Sequence, residues 1–164
     1  MARPPKRFRM SCSMTIPQVR DGSKTVTRRA PATWEQLQVG DHLVLIEKGM
    51  GLPKGAKQVA IREAVVVDVR LEQLASVTEA ECAAEGFPDM TPTEFMVFWA
   101  KGHSVRWSDP SELLQVVCRR IEWRYVNCPL EASCPDCRSG KPDQCTRPSY
   151  EATVAADLAA GGAR

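Results

Sequence analysis

No apolar run in this chain of 164 residues approaches the length needed to span a bilayer, and the start carries no apolar segment of the kind that directs secretion. A cytoplasmic protein without a membrane role is therefore expected. Bulk charge is also nearly absent, at a net +2, so composition by itself does not announce a nucleic-acid binder. The basic residues are nevertheless unevenly placed, since Arg3, Lys6, Arg7 and Arg9 open the chain before any acid. Histidine is scarce: His42 and His103 are the only two, and both read as structural or surface groups rather than ligands. No internal repeat or low-complexity block is evident before position 127. The length suits one domain with a tail.

The segment Asp21-Gly22-Ser23-Lys24-Thr25-Val26-Thr27-Arg28-Arg29 joins a glycine turn, a lysine, hydroxyls and two arginines between apolar runs. Such a cluster can hold an anion, because glycine turns the chain at positive φ and lets backbone approach a ligand. It also reads as a solvated hairpin edge whose basic residues prevent pairing. In an extended chain, Lys24 and Val26 point one way and Thr25, Thr27 and Arg29 the other. A bend is then required to bring Lys24 and Thr27 into one pocket.

The flanking pattern is that of an α+β domain with a mostly antiparallel sheet, either open or closed into a barrel. Phe8, Met10, Cys12 and Met14 alternate with polar residues as in a half-buried strand, and a short helix from Ile16, capped by Thr15, stops at Gly22. Gly40-Asp41 turns into the strand His42–Ile46. Lys48 to Lys57 reads as a flexible basic loop, a solvated connector in preference to a ligand lid. Val59 to Leu71, with its uninterrupted Ala64-Val65-Val66-Val67, reads as a central strand buried on both faces. Capping signals at Thr78 and Thr91 open two helices; the first ends at Glu85-Gly86, and the second carries Phe95, Met96, Phe98 and Trp99, which read as core in preference to Trp99 being a base-stacking platform. The last strand falls within Leu113 to Val126. Cys12, Cys82 and Cys118 occupy apolar patterns and read as buried small hydrophobes.

At the lysine cluster the sequence resembles the ASCH family, small domains with a PUA-like fold. Gly22, Lys24 and Arg29 match the family's Gly-x-Lys followed after four residues by Arg. Gly40-Asp41, Glu85-Gly86-Phe87 and Arg120 to Tyr125 fall where such a domain has them. The match covers about residues 8 to 126, giving an ASCH domain over 1–126 and a tail over 127–164. The resemblance implies a PUA-like, mostly antiparallel β-barrel with flanking helices. Its cleft is expected to bind RNA or a nucleotide through Gly22, Lys24, Arg28 and Arg29. Some relatives are similar to amidohydrolases that deacetylate acetylated cytidine with a lysine, a threonine and a glutamate, which fall here on Lys24, Thr27 and Glu85. Other relatives are ribonucleases.

The chemistry can be stated without the family. A lysine acts as a base only when burial or a neighbouring cation lowers its pKa, and Arg28 or Arg29 supplies such a cation. Thr27 can attack or position water, and Glu85 can shuttle a proton. Equally, Lys24 and Glu85 can form a plain ion pair.

Beyond Val126 the composition changes. Cys128, Cys134, Cys137 and Cys145 crowd into eighteen residues with little apolar material, and the two-residue gap between Cys134 and Cys137 suits one chelate loop on a tetrahedral metal. Four thiolates would complete a closed structural zinc site, with Arg138, Lys141 and Arg147 surrounding it with positive charge; the other reading is free thiols or a redox pair. The tail resembles zinc-knuckle segments with a CPxC core. It is expected to serve nucleic acid or, in an adaptor role, to recruit a protein partner.

Overall fold

The computed structural model describes residues 3–126. The proposed zinc ligands Cys128, Cys134, Cys137 and Cys145, and the whole tail 127–164, lie outside the described residues.

The elements run β1 (Arg7–Ser11), α1 (Ile16–Asp21), β2 (Val26–Arg29), β3 (His42–Ile46), β4 (Ala60–Gln73), α2 (Glu79–Ala84), α3 (Pro92–Gly102) and β5 (Val117–Tyr125), with 3-10 turns at Leu74–Ser76 and Pro110–Gln115. This is an α+β chain with one mixed five-stranded sheet in the order β1-β3-β4-β5-β2. β1 lies parallel to β3, whereas β3 with β4 and β2 with β5 are antiparallel. The sheet is not closed into the expected barrel. β1 and β2 are its two edges, and the Nη2 of Arg29 at the end of β2 donates to the Ser11 carbonyl at the end of β1, 2.8 Å away. β2 is only four residues long and runs into Ala30-Pro31, where proline has no N–H to extend a ladder.

β4 sits at the centre of the sheet, as its valine-rich run predicts. That run is not buried on both faces, however: Ala64 and Val66 are buried, Val65 is half-buried and Val67 is exposed. Ordinary period-two alternation overrides the apolar run. The strand covered on both sides is instead β3, where Leu43, Val44, Leu45 and Ile46 are all buried.

The two helices pack with the sheet through a cluster of Leu74, Val77, Cys82, Phe95, Trp99 and Cys118. Burying an aromatic side chain such as Phe95 contributes about 1.5–3 kcal/mol. Thr91 and Glu94 form a reciprocal capping box at the start of α3. At the start of α2 only half of the motif forms. Thr78 accepts from the Glu81 N–H, but the Glu81 carboxylate is taken by two arginines instead of returning to the cap. The three cysteines of this region are buried and free, as expected, and burial pushes the Cys118 thiol up to about 12. Among the described residues no helix is long and apolar enough to cross a membrane.

Candidate functional site

The lysine cluster begins where α1 ends. Gly22 takes the left-handed conformation at φ 83°, as its position predicts, and turns the chain back toward α2. The Lys24 N–H then donates to the Gln18 carbonyl at 3.0 Å and the Thr25 N–H to the Ala84 carbonyl at 2.9 Å. These bonds hold Ser23 to Thr25 out of the strand, which starts only at Val26. This irregular stretch supplies the required bend. Lys24 and Thr27 are both buried and border the same cleft.

Gly86 brings in the third member of the set. Its φ is 95°, and a Cβ there would lie 2.8 Å from the Thr15 Cγ2, so only glycine lets the end of α2 press against the start of α1. Glu85, which caps α2, is thereby carried to Lys24. The Lys24 ammonium donates to the Glu85 carbonyl at 2.5 Å and to the Val26 carbonyl at 2.9 Å, and lies 3.4 Å from Glu85 Oε2. It also stands 5.7 Å above the centre of the Trp123 ring. Burial pulls the Lys24 pKa below its ordinary value; the Glu85 carboxylate pulls it partly back, and Arg29 adds to the lowering. Among the described residues the Thr27 hydroxyl makes no hydrogen bond, so it is available to a ligand.

The cleft has a volume of about 650 Å³ and a largely apolar wall. Its lining includes the polar residues Lys24, Thr27, Arg29 and Glu85 and the aromatic residues Phe87, Phe98, Trp99 and His103. Trp99 and His103 stack at 3.9 Å with an interplanar angle of 17°, and the Trp99 Nε1 donates to the Arg28 carbonyl at 3.0 Å. The aromatic helix is thus bonded directly to the strand that carries the polar set.

Two residues expected to bind nucleic acid do something else. Gly22 is the turn that ends α1 and does not line the cleft. Arg28 borders the cleft, but its side chain has no exposure and its guanidinium pairs with Glu72, Glu81 and Glu85. A phosphate would have to displace these carboxylates to reach the Arg28 guanidinium. Burial disfavours its charge, yet Glu85, Glu81 and Glu72 outweigh that and raise its pKa. Arg29 borders the cleft, and among the described residues its buried Nε has no hydrogen-bond partner.

The sequence pattern assigns Trp99 to the core and His103 to structure or surface. Trp99 is buried as expected and also walls the cleft, and His103 lines it. Their four-residue spacing on one helix face was the available signal. Met50, from the loop read as a connector, also borders the cleft while remaining almost fully exposed. Among the described residues no group of three His, Cys, Asp or Glu side chains could hold a metal ion.

No protein-family model matches the chain, and no curated protein does. The fold is similar to that of a crystal structure from Enterococcus faecalis V583 described by the family model DUF984. That likeness has 14% identity and a TM-score of 0.49, and covers 77% of this chain and 82% of that one. It is also similar to the ASCH domain from Lactobacillus crispatus JV V101, with 15% identity and a TM-score of 0.45, covering 74% of this chain and 79% of that one.

Proposed function

We propose that the cleft binds a single nucleoside or nucleotide unit, as a free molecule or as one residue of an RNA. The observation that carries this reading is the meeting of two unlike linings in one cleft of about 650 Å³: aromatic rings, and the buried polar set of Lys24, Thr27 and Glu85. A flat base can rest on ring faces while its edge meets fixed donors and acceptors. Arg29, with an unengaged Nε–H, suits one phosphate. With Arg28 neutralised internally, the cleft favours one nucleotide over a long polyanionic track. The affinity for a short single-stranded RNA is therefore expected to fall only gently with salt, by the equivalent of about one or two phosphate contacts. Calorimetry with nucleosides, nucleotides and a short RNA tests this. The reading requires Phe98→Ala to weaken binding, and it is lost if none of these ligands binds the wild type.

A second reading goes further. The lowered pKa of Lys24, beside a carboxylate and an unengaged hydroxyl, favours hydrolysis of an amide on the bound base, as in acetylated cytidine. In this scheme the neutral Lys24 amine takes the Thr27 hydroxyl proton as the oxygen attacks the acyl carbon. The C–N bond breaks, the exocyclic nitrogen receives a proton delivered through Glu85, and water then releases the acyl group from Thr27. Incubation with N4-acetylcytidine should yield cytidine and acetate. Undiminished turnover in Lys24→Met removes the proposed base, and cleavage of RNA without deacetylation would point to a ribonuclease.

A further inference from the structure

A lysine that serves as a base must exist part of the time as the neutral amine, yet a neighbouring carboxylate favours the ammonium ion. Glu85 is such a neighbour. Its two oxygens are divided: Oε2 lies 3.4 Å from Lys24 Nζ, while Oε1 lies 3.2 Å from Arg28 Nη1. Arg28 is anchored in this position. Its Nε and Nη2 hold Glu72 Oε1 at 3.0 and 2.8 Å, and Nη2 holds Glu81 Oε2 at 2.5 Å. Glu81 is fixed in turn by the Arg120 Nε at 2.8 Å.

Arg28 and Arg120 stand directly opposite each other on β2 and β5. Like charges in that register are unfavourable on their own. Glu72 of β4, with Glu81 and Glu85 of α2 and its cap, offsets the repulsion by packing five charged side chains into one region. A cation held so firmly beside a candidate base calls for an account beyond surface solubility.

We propose that Arg28 is a positioning residue that competes with Lys24 for the Glu85 carboxylate, so that Glu85 orients the lysine without pinning it as an ammonium ion. This rests on the reading of Lys24 as the base. Among the described residues the groups facing Lys24 include Glu85 from the end of α2, Cys12 just past the end of β1, Arg29 on β2 and the Trp123 ring on β5. Burial raises the Cys12 thiol, and its charged form favours the Lys24 ammonium in the same sense as Glu85. Arg29 acts in the same sense as Arg28, and the ring attracts the ammonium only weakly. Glu85 is the main counter-charge, so whatever shares it sets the balance.

Titration of protein labelled with 13C-lysine, the Lys24 signal being identified by its loss in Lys24→Met, tests this directly. In Arg28→Gln the Lys24 midpoint should move upward, because Glu85 then answers to lysine alone. In a Glu85→Gln background the same substitution should move it much less. An unmoved or lowered midpoint overturns the proposal, as does an equal rise in both backgrounds, which would mean that Arg28 acts by direct repulsion. Glu72→Gln provides a route that does not depend on Arg28→Gln folding. It strips one acid from Arg28, tightens its hold on Glu85 and should move the Lys24 midpoint down; no shift, or a rise, counts against the proposal. The acid limb of the deacetylation rate should move with the same sign. A titration that shifts while no acylated nucleoside is hydrolysed removes the reaction and leaves the competition standing. Turnover that needs Lys24 without any shift does the reverse.

Discussion

Asp41→Asn is expected to weaken the fold by an amount that vanishes in acid. Asp41 is fully buried at the entry to β3 and accepts four hydrogen bonds: from Arg3 Nη1 at 2.8 Å, Arg3 Nη2 at 2.5 Å, the Lys6 N–H at 2.8 Å and the Gln38 N–H at 2.9 Å. Burial pushes the carboxyl up, but the Arg3 guanidinium and the two amides outweigh it and hold its pKa at about 2 instead of 3.8. A tenfold change in proton affinity corresponds to about 1.4 kcal/mol, so ionised Asp41 contributes on the order of 2 kcal/mol. The sign follows from the lowered value: this stability is fully present above about pH 4 and is lost as pH falls through about 2. Urea unfolding of wild type and Asp41→Asn at pH 7 and near pH 2 measures it. The gap should be about 2 kcal/mol at pH 7 and close to zero at the acid end. A gap of the same size at both pH values would refute the electrostatic account, leaving a loss of shape or of amide acceptors as the cause. Because β3 pairs in parallel with β1, whose end walls the cleft, weakened ligand binding in the variant is expected to accompany the loss.

Other expectations concern the site itself. Burial lowers the Lys24 pKa, so between that value and the ordinary 10.5 the unfolded chain binds the extra proton and wild-type stability rises with pH. The stability of wild type relative to Lys24→Met should climb from neutral to alkaline pH in denaturant melts, and a flat difference would contradict the burial argument. Gly86→Ala should destabilise by about 1–3 kcal/mol, because the residue must adopt φ 95° with its Cβ 2.8 Å from Thr15; an unchanged unfolding midpoint would show that α2 and α1 need not meet so closely. Metal analysis of the full chain should find about one zinc held by Cys128, Cys134, Cys137 and Cys145. Absence of metal with all four thiols reactive would end that expectation.

Features set by neighbours in sequence were legible beforehand. The glycine stop at Gly22, the Thr78 and Thr91 helix starts, the central place of β4 and the burial of Phe95 and Trp99 all follow from local turn chemistry and periodicity. The convergence of Lys24, Thr27 and Glu85 was anticipated through the family resemblance, not through periodicity, which placed Lys24 and Thr27 on opposite faces. Backbone bonds from Lys24 and Thr25 to the carbonyls of Gln18 and Ala84 undo that alternation. The environment of Arg28 was not legible at all. Its partners Glu72, Glu81 and Glu85 come from β4, α2 and the cap of α2, more than forty residues away, and nothing in the spacing of charges reveals that a motif arginine faces inward. Met50 was equally hidden, since its place at the cleft depends on the path of a glycine-rich loop.

The join between the two edges of the sheet lies at the cleft itself. Where a ladder would fasten β1 to β2 with several backbone bonds, the hydrogen bond found between them among the described residues is that from Arg29 to Ser11, and both residues border the cleft. A net contribution of about 1.5–3 kcal/mol is little to overcome for a hydrogen bond made by a charged group. An incoming anion that draws Arg29 to itself would therefore compete with the bond that joins the two edges.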